Sequence, residues 1–271
     1  MDPVSVVLLA ILQGITELFP ISSIGNSIVI PHLLHWNINP QSDTFLPLLV
    51  ALHLGTAIAL LIYFRDIWVG LIRSLPAFSP RNPQSRLILL LVVGTIPAGL
   101  IGLIFEKRLA ALFGEYRFAA VFLIVNGILL FAGEWLRRNA RLGELTALTY
   151  PQSFFVGILQ SLALLPGFSR SGASLVGGLI VGLSHESAAR FSFLLATPII
   201  FAAGVLEMPK LLTPAARGDL VISLVGGLVA GVVAYLSTAF LMRYFKRNEV
   251  NALFPFGVYC ILLGLAGLLI A

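Results

Sequence analysis

Apolar runs alternate with short polar punctuation along almost the whole chain, and the lengths of those runs sort them into two kinds. Six runs, at approximately 44–64, 86–105, 117–136, 188–208, 219–242 and 251–270, are long enough at about 20 residues to cross a bilayer as helices. Four others form two pairs, 3–19 with 22–35 and 151–165 with 171–183, and each pair is joined by a turn rich in Pro, Ser and Gly. Short apolar segments of this kind tend to be re-entrant rather than spanning, and irregular backbone at that depth needs protein or a water-filled cavity around it. The pattern predicts two re-entrant helical hairpins, 3–35 and 151–183, beside six transmembrane helices.

The two pairs also match each other. Leu12-Gln13 falls on Leu159-Gln160, Ser22 on Ser169, Gly25 on Gly172 and Ser27 on Ser174, and a weaker echo puts Gly94, Ala98 and Gly99 on Gly226, Ala230 and Gly231. Residues 1–143 and 144–271 then each read as one hairpin followed by three spans, within a single membrane domain. Three is odd, so the second copy enters the membrane upside down relative to the first. That is the inverted-repeat plan, with its site where the broken elements meet.

Composition agrees with the pattern: 58% of the residues are hydrophobic and 11% charged, with a mean hydropathy of +0.99, far from a soluble domain with roughly 25% charged residues. The fold class expected is an all-α polytopic membrane protein. Cys260 stands alone in an apolar run, which removes a disulfide framework and a cysteine metal site. No cleavable signal peptide is expected, because Asp2 stands where a basic stretch would be needed. The net charge of +5 is explained by loop arginines rather than by nucleic acid. One face collects Arg65, Arg73, Arg81, Arg86, Arg137, Arg138, Arg141, Arg243, Lys246 and Arg247, whereas the other has Lys107, Arg108, Arg117, Lys210 and Arg217. The positive-inside bias makes the first face cytoplasmic and puts both termini outside.

The chemistry concentrates at the two hairpin tips. Gln13 and Glu17 are four apart and share a helix face, and Glu17 is the only carboxylate between Pro3 and Gln41. A buried carboxylate needs a cation, whether a metal or a guanidinium. Arg170 is the only charge from Leu162 to Leu183 and is the evident partner. A purely structural bridge is one reading of the pair. The other is an anion site, because Ser22, Ser23, Ser27, Ser169, Ser171 and Ser174 supply hydroxyl donors around one guanidinium. In that reading the turns at Gly25 and Gly172 present backbone N–H groups just before a helix. The same serines also suit ordinary helix caps.

The segment from Gln13 through Glu17 to Pro20-Ile-Ser22-Ser23-Ile-Gly25-Asn26 resembles the E/Q-xxx-E and P-x-S-S-x-G-H stretches of the undecaprenyl-diphosphate phosphatase family, the bacitracin-resistance type. Residues 166–174 resemble that family's PGxSRSxxT signature, and the likeness continues through His53-Leu-Gly-Thr56 and Phe191–Ala196 to cover essentially the whole chain. The resemblance implies hydrolysis of the lipid-carrier diphosphate to the monophosphate, in the bacterial inner membrane and from its outer face, in support of peptidoglycan synthesis. It further implies a divalent cation, Mg²⁺ or Ca²⁺, held by Glu17 with Gln13, and either Ser23 or an activated water as nucleophile, a choice the residues leave open. Ser169, Arg170 and Ser171 would clamp phosphate, with Ser174 in the final threonine slot and Ser22, Gly25, Ser27 and Gly172 completing the substrate-binding set.

One position departs from that pattern, since Asn26 occupies the slot where the family has histidine. Asparagine cannot carry a proton near neutral pH, so the resemblance leaves open an impaired enzyme, or a polyprenyl-phosphate transporter that binds without cleaving. His53 substitutes only if its helix reaches the tips. His32, His35 and His185 are expected at the membrane interface without a role.

Overall fold

The structure is a computed structural model, and it describes residues 2–36, 45–110, 112, 115–137, 143–211 and 220–270. Arg138, Arg141 and Arg217 lie outside the described residues, as do the span starts expected at 44 and 219 and the side chains of Lys107 and Lys210. The described chain is all helical: α1 Pro3–Thr16, α2 Ser23–Leu33, α3 Phe45–Tyr63, α4 Arg65–Ser74, α5 Pro83–Ala110, α6 Tyr116–Arg137, α7 Tyr150–Gln160, α8 Arg170–Ile180, α9 His185–Leu211, α10 Leu220–Arg247 and α11 Phe254–Ile270.

Local chemistry sets the starts of the short helices. Asp2 caps α1 by accepting the Ser5 amide at 2.8 Å and the Ser5 hydroxyl at 2.6 Å, and Pro3 follows it, where a missing N–H costs nothing. The same Ser5 bonds hold the Asp2 carboxyl below its usual range. Thr149 and Gln152 form a capping box ahead of α7, with the Thr149 amide donating to Gln152 Oε1 at 2.9 Å. A short 3₁₀ turn, Ser161–Leu164, then extends α7 toward the second tip.

Among the described residues, length and apolar composition let four helices cross a membrane: Pro83–Phe105 within α5, then α6, His185–Gly204 within α9, and α10. A fifth arises if α3 and α4 count as one span bent by 77°. The bend was not legible in the pattern, which treated the chain after 64 as a loop. Instead Arg65 to Ser74 forms an amphipathic helix that buries Leu71 and exposes Val69 and Ile72. The outer surfaces of the spans are apolar, with Leu103 61%, Ile104 71% and Leu228 71% exposed, which only a hydrocarbon surround would favour. The chain is a multi-pass membrane protein.

At the centre lies α9, whose Phe191, Phe193, Leu194, Leu195 and Ala196 are all fully buried. It packs against α3 and α8, while α3 also packs on α10 and α6 on α11. Between α3 and α10 the backbones touch: a Cβ on Gly55 would stand 1.9 Å from the Gly227 carbonyl oxygen, so neither helix can approach so closely with a larger residue there. The hairpins are held crosswise. Helix α1 lies on α10, and α7 lies on α5.

Candidate active site

Glu17 ends α1, its amide bonded to the Gln13 carbonyl at 2.9 Å and its side chain 4% exposed. Four side chains from four helices converge on its carboxylate. Arg170 Nη2 donates to Oε1 at 2.9 Å. Ser23 Oγ and Gln13 Nε2 donate to Oε2 at 2.6 and 3.1 Å, and His53 Nε2 lies 3.0 Å from the same oxygen. The other nitrogen of His53, Nδ1, is 2.7 Å from the Leu49 carbonyl one turn back along α3. Both ring nitrogens therefore face oxygen acceptors, an arrangement that satisfies both when the ring carries two N–H groups. The carboxylate is thus bracketed by an imidazole on one oxygen and the Arg170 guanidinium on the other, and the guanidinium suits a phosphate-bearing ligand.

The second tip is built to aim Arg170. Ser169 caps α8 by accepting the Gly172 amide at 3.0 Å, which makes Arg170 the first helical residue. Its Nη1 donates to the Ser192 carbonyl at 3.3 Å, so α9 fixes one side of the guanidinium while Glu17 fixes the other. Ser174 bonds back to the Arg170 carbonyl at 2.7 Å and pairs with the Ser192 hydroxyl at 2.6 Å. Gly167 turns the chain into this tip at φ +103°, against the Ala119 carbonyl, a conformation and spacing that exclude a side chain.

The tips are also fastened to each other. Ser171 Oγ donates to the Phe19 carbonyl at 2.9 Å and lies 3.0 Å from Ser169 Oγ. Asn126, buried in the middle of α6, donates to the Pro20 carbonyl at 2.9 Å and accepts the Ser169 amide at 3.0 Å. One side chain thus holds both turns. Sequence reasoning did not single out Asn126, although a lone asparagine inside an apolar span is the signal that could have found it. Ser192 lay within the stretch 191–196 that carries the family resemblance but was not singled out there.

Several expected roles change. The amides of Gly25 and Gly172 do not face a ligand, because the hydroxyls of Ser22 and Ser169 already accept them at 3.1 and 3.0 Å. Those two serines are caps, as their residue type favours. Ser22 sits at φ 64°, unusual for a residue with a side chain, and Asn26 explains how it stays there. Asn26 Nδ2 donates to the carbonyls of Ile21 and Ser22, each at 2.8 Å, and Asn26 Oδ1 accepts the Tyr259 hydroxyl. With no exposed surface and three partners, Asn26 braces the turn and stands apart from the Glu17 carboxylate. His53 does reach the tips. His185, expected at the interface, is fully buried, with Nε2 2.9 Å from Glu134 Oε1. Ser27 Oγ is buried without a partner among the described residues.

Among the described residues no three His, Cys, Asp or Glu side chains cluster as a ready-made metal centre. The fit of a divalent cation rests on oxygen donors of another kind. Gln13 Oε1 is buried without a hydrogen-bond partner among the described residues and belongs to the same side chain that touches Glu17. One carboxylate and one amide oxygen make a partial shell of the sort Mg²⁺ accepts when substrate phosphates and water complete it.

Over residues 6–266 the chain matches the family described as bacitracin resistance protein BacA. It is 52% identical to undecaprenyl-diphosphatase 2 of Chromobacterium violaceum over 99% of both chains. It is also 51% identical to undecaprenyl-diphosphatase of Acidiphilium cryptum, covering all of this chain and 98% of that one. Undecaprenyl-diphosphatase 2 of Burkholderia ambifaria is 49% identical over 95% of this chain and 93% of its own. With paired tips that converge on Glu17 and a match that runs nearly end to end, the chain belongs to the bacitracin resistance protein BacA family.

Proposed function

We propose that this chain hydrolyses a polyprenyl diphosphate, undecaprenyl diphosphate in the first instance, to the monophosphate and phosphate, recycling the lipid carrier of cell-wall synthesis and so conferring bacitracin resistance. The observation that carries the reading is the meeting of Arg170 from one hairpin with Glu17 and Ser23 from the other, at 2.9 and 2.6 Å, inside a membrane protein. Arg170 binds the terminal phosphate and offsets the negative charge that develops on its oxygens. Ser23 Oγ attacks the terminal phosphorus and its proton passes to Glu17 Oε2, already its hydrogen-bond acceptor. The bond from that phosphorus to the bridging oxygen breaks, and the lipid monophosphate leaves. Water then cleaves the phosphoserine and restores Ser23.

Gln13 and Glu17 would hold the divalent cation, Mg²⁺ or Ca²⁺, which when bound supplies Lewis-acid polarisation of the phosphate oxygens. His53 and Arg170 orient the Glu17 carboxylate from either side. The isoprenoid tail lies between helices, in contact with bilayer lipid.

The finer topology belongs to the same reading: six spans and two re-entrant hairpins in inverted repeats 1–143 and 144–271, both termini outside the bacterial inner membrane, and the site open to the outer face. The crossed packing of α1 on α10 and of α7 on α5 supports the repeat. The same architecture suits a lipid-phosphate transporter. Hydrolysis is favoured because Ser23 is engaged with a carboxylate base, a contact that binding alone does not need. Phosphate release from undecaprenyl diphosphate by the purified chain tests the reading, and no release above an Arg170→Ala control would overturn it. A cysteine placed by Arg81→Cys, labelled by an impermeant reagent only from inside, tests the orientation.

A further inference from the structure

Where α3 gives way to α4, the ends of these two helices and of α9 and α10 enclose a cavity of about 340 Å³ that the hydrolytic site does not use. Tyr63 lies ten residues beyond His53 along α3, which places the cavity about 15 Å up that helix from Glu17. Its walls are of two kinds. Tyr63, Phe64 and Met242 supply an apolar floor, and Arg190, Arg243 and Lys246 supply three cations from α9 and α10. Two carboxylates also line it. Glu186 is paired with Arg190 at 2.8 Å, and Asp66 lies at the exposed lip beside Arg65. Among the described residues Arg190 Nε is buried without a partner, and no hydrogen bond or ion pair engages Arg243 or Lys246.

The surface leading to the cavity has the shape of an amphiphile. On α10, Leu236 and Phe240 are 64% and 56% exposed, and Arg243 follows them at the spacing of one helix face. On the neighbouring α3, Ile58 and Ile62 are half exposed below the same level, and the chain then bends by 77° into the amphipathic α4. Such a bend into an amphipathic segment marks the boundary between hydrocarbon and head groups. A stripe of lipid-facing residues therefore ends in a partly enclosed basic pocket at head-group height.

We propose that this cavity is a binding site for the phosphate head group of an anionic membrane phospholipid, with its acyl chains lying along Ile58, Ile62, Leu236 and Phe240. Charge complementarity selects the head group, since Arg243 and Lys246 have no partners among the described residues, and the apolar approach selects a lipid over free phosphate.

Thermal unfolding of the detergent-purified protein with added phosphatidylglycerol tests the site. The expected result is a rise in Tm of about 5 °C at a hundredfold excess over Kd, with no comparable rise from phosphatidylcholine or inorganic phosphate. The double variant Arg243→Ala, Lys246→Ala loses the shift yet releases phosphate from polyprenyl diphosphate in detergent at the parental rate. Arg65→Ala with Arg73→Ala, which removes exposed charge outside the cavity, keeps the shift. Equal shifts from the two lipids, a shift from inorganic phosphate alone, or an unchanged shift in the Arg243/Lys246 double variant would each overturn the proposal.

Discussion

Tyr259 donates its hydroxyl proton to Asn26 Oδ1, so α11 reaches across to the first hairpin and closes the last open valence of a fully buried amide. Residue 26 is therefore committed to the turn. Asn26→His gives an imidazole that cannot serve both the Ile21 and Ser22 carbonyls. Leaving a buried acceptor without its donor costs about 1–3 kcal/mol. The variant is expected to melt lower and to release no more phosphate than the parent. Robustly higher release would mean that position 26 limits turnover after all.

Arg170→Lys keeps the charge but loses the two-sided grip on Glu17 and on the Ser192 carbonyl. Breaking one partner of a buried ion pair costs about 3–5 kcal/mol. Activity is expected to fall at least about 100-fold in Arg170→Lys, and in Arg170→Ala the melting temperature should fall as well. Steady-state phosphate release beside a thermal melt checks both.

Asn126 has a different signature, because it touches neither Glu17 nor Arg170 and sets their alignment through Pro20 and Ser169. Asn126→Asp retains an acceptor for the Ser169 amide and loses the donor to Pro20. Its kcat is expected to drop more than tenfold, while affinity for the lipid tail is unchanged, so KM should move little. A fall in kcat that matches the loss of folded protein in a thermal melt would argue that the residue matters only for folding.

Removal of divalent cations should abolish turnover, and Gln13→Leu should raise the Mg²⁺ concentration needed to restore it by roughly tenfold or more. A titration of activity against Mg²⁺ after chelation reads this directly. An unchanged half-saturating concentration in Gln13→Leu would remove Gln13 from the cation's shell.

Much of this architecture was written in run length. The short paired segments 3–19 with 22–35 and 151–165 with 171–183 emerge as α1 with α2 and α7 with α8, because too few apolar residues separate their turns to build a span. The pairing of Glu17 with Arg170 was legible for a related reason: each is alone in a long uncharged stretch, and a buried charge needs a partner. What the pattern could not carry was direction. Whether a serine caps its own helix, as Ser22 and Ser169 do, or faces a ligand depends on side-chain angles that residue type leaves open. The same holds for His53, whose helix had to be placed against the tips before its ring could be located. Helix α4 was missed because its polar and apolar residues alternate at a length shared by loops.

The bond between Glu17 and Arg170 spans 153 residues of chain, and that separation has a meaning in time. At synthesis rates of about 5–20 residues per second, the carboxylate emerges roughly 8–30 s before its guanidinium exists. Throughout that interval the carboxylate has Gln13, Ser23 and His53 from its own half of the chain but lacks the guanidinium that holds its other oxygen. The set of partners around Glu17 is therefore complete only once the second hairpin has been made.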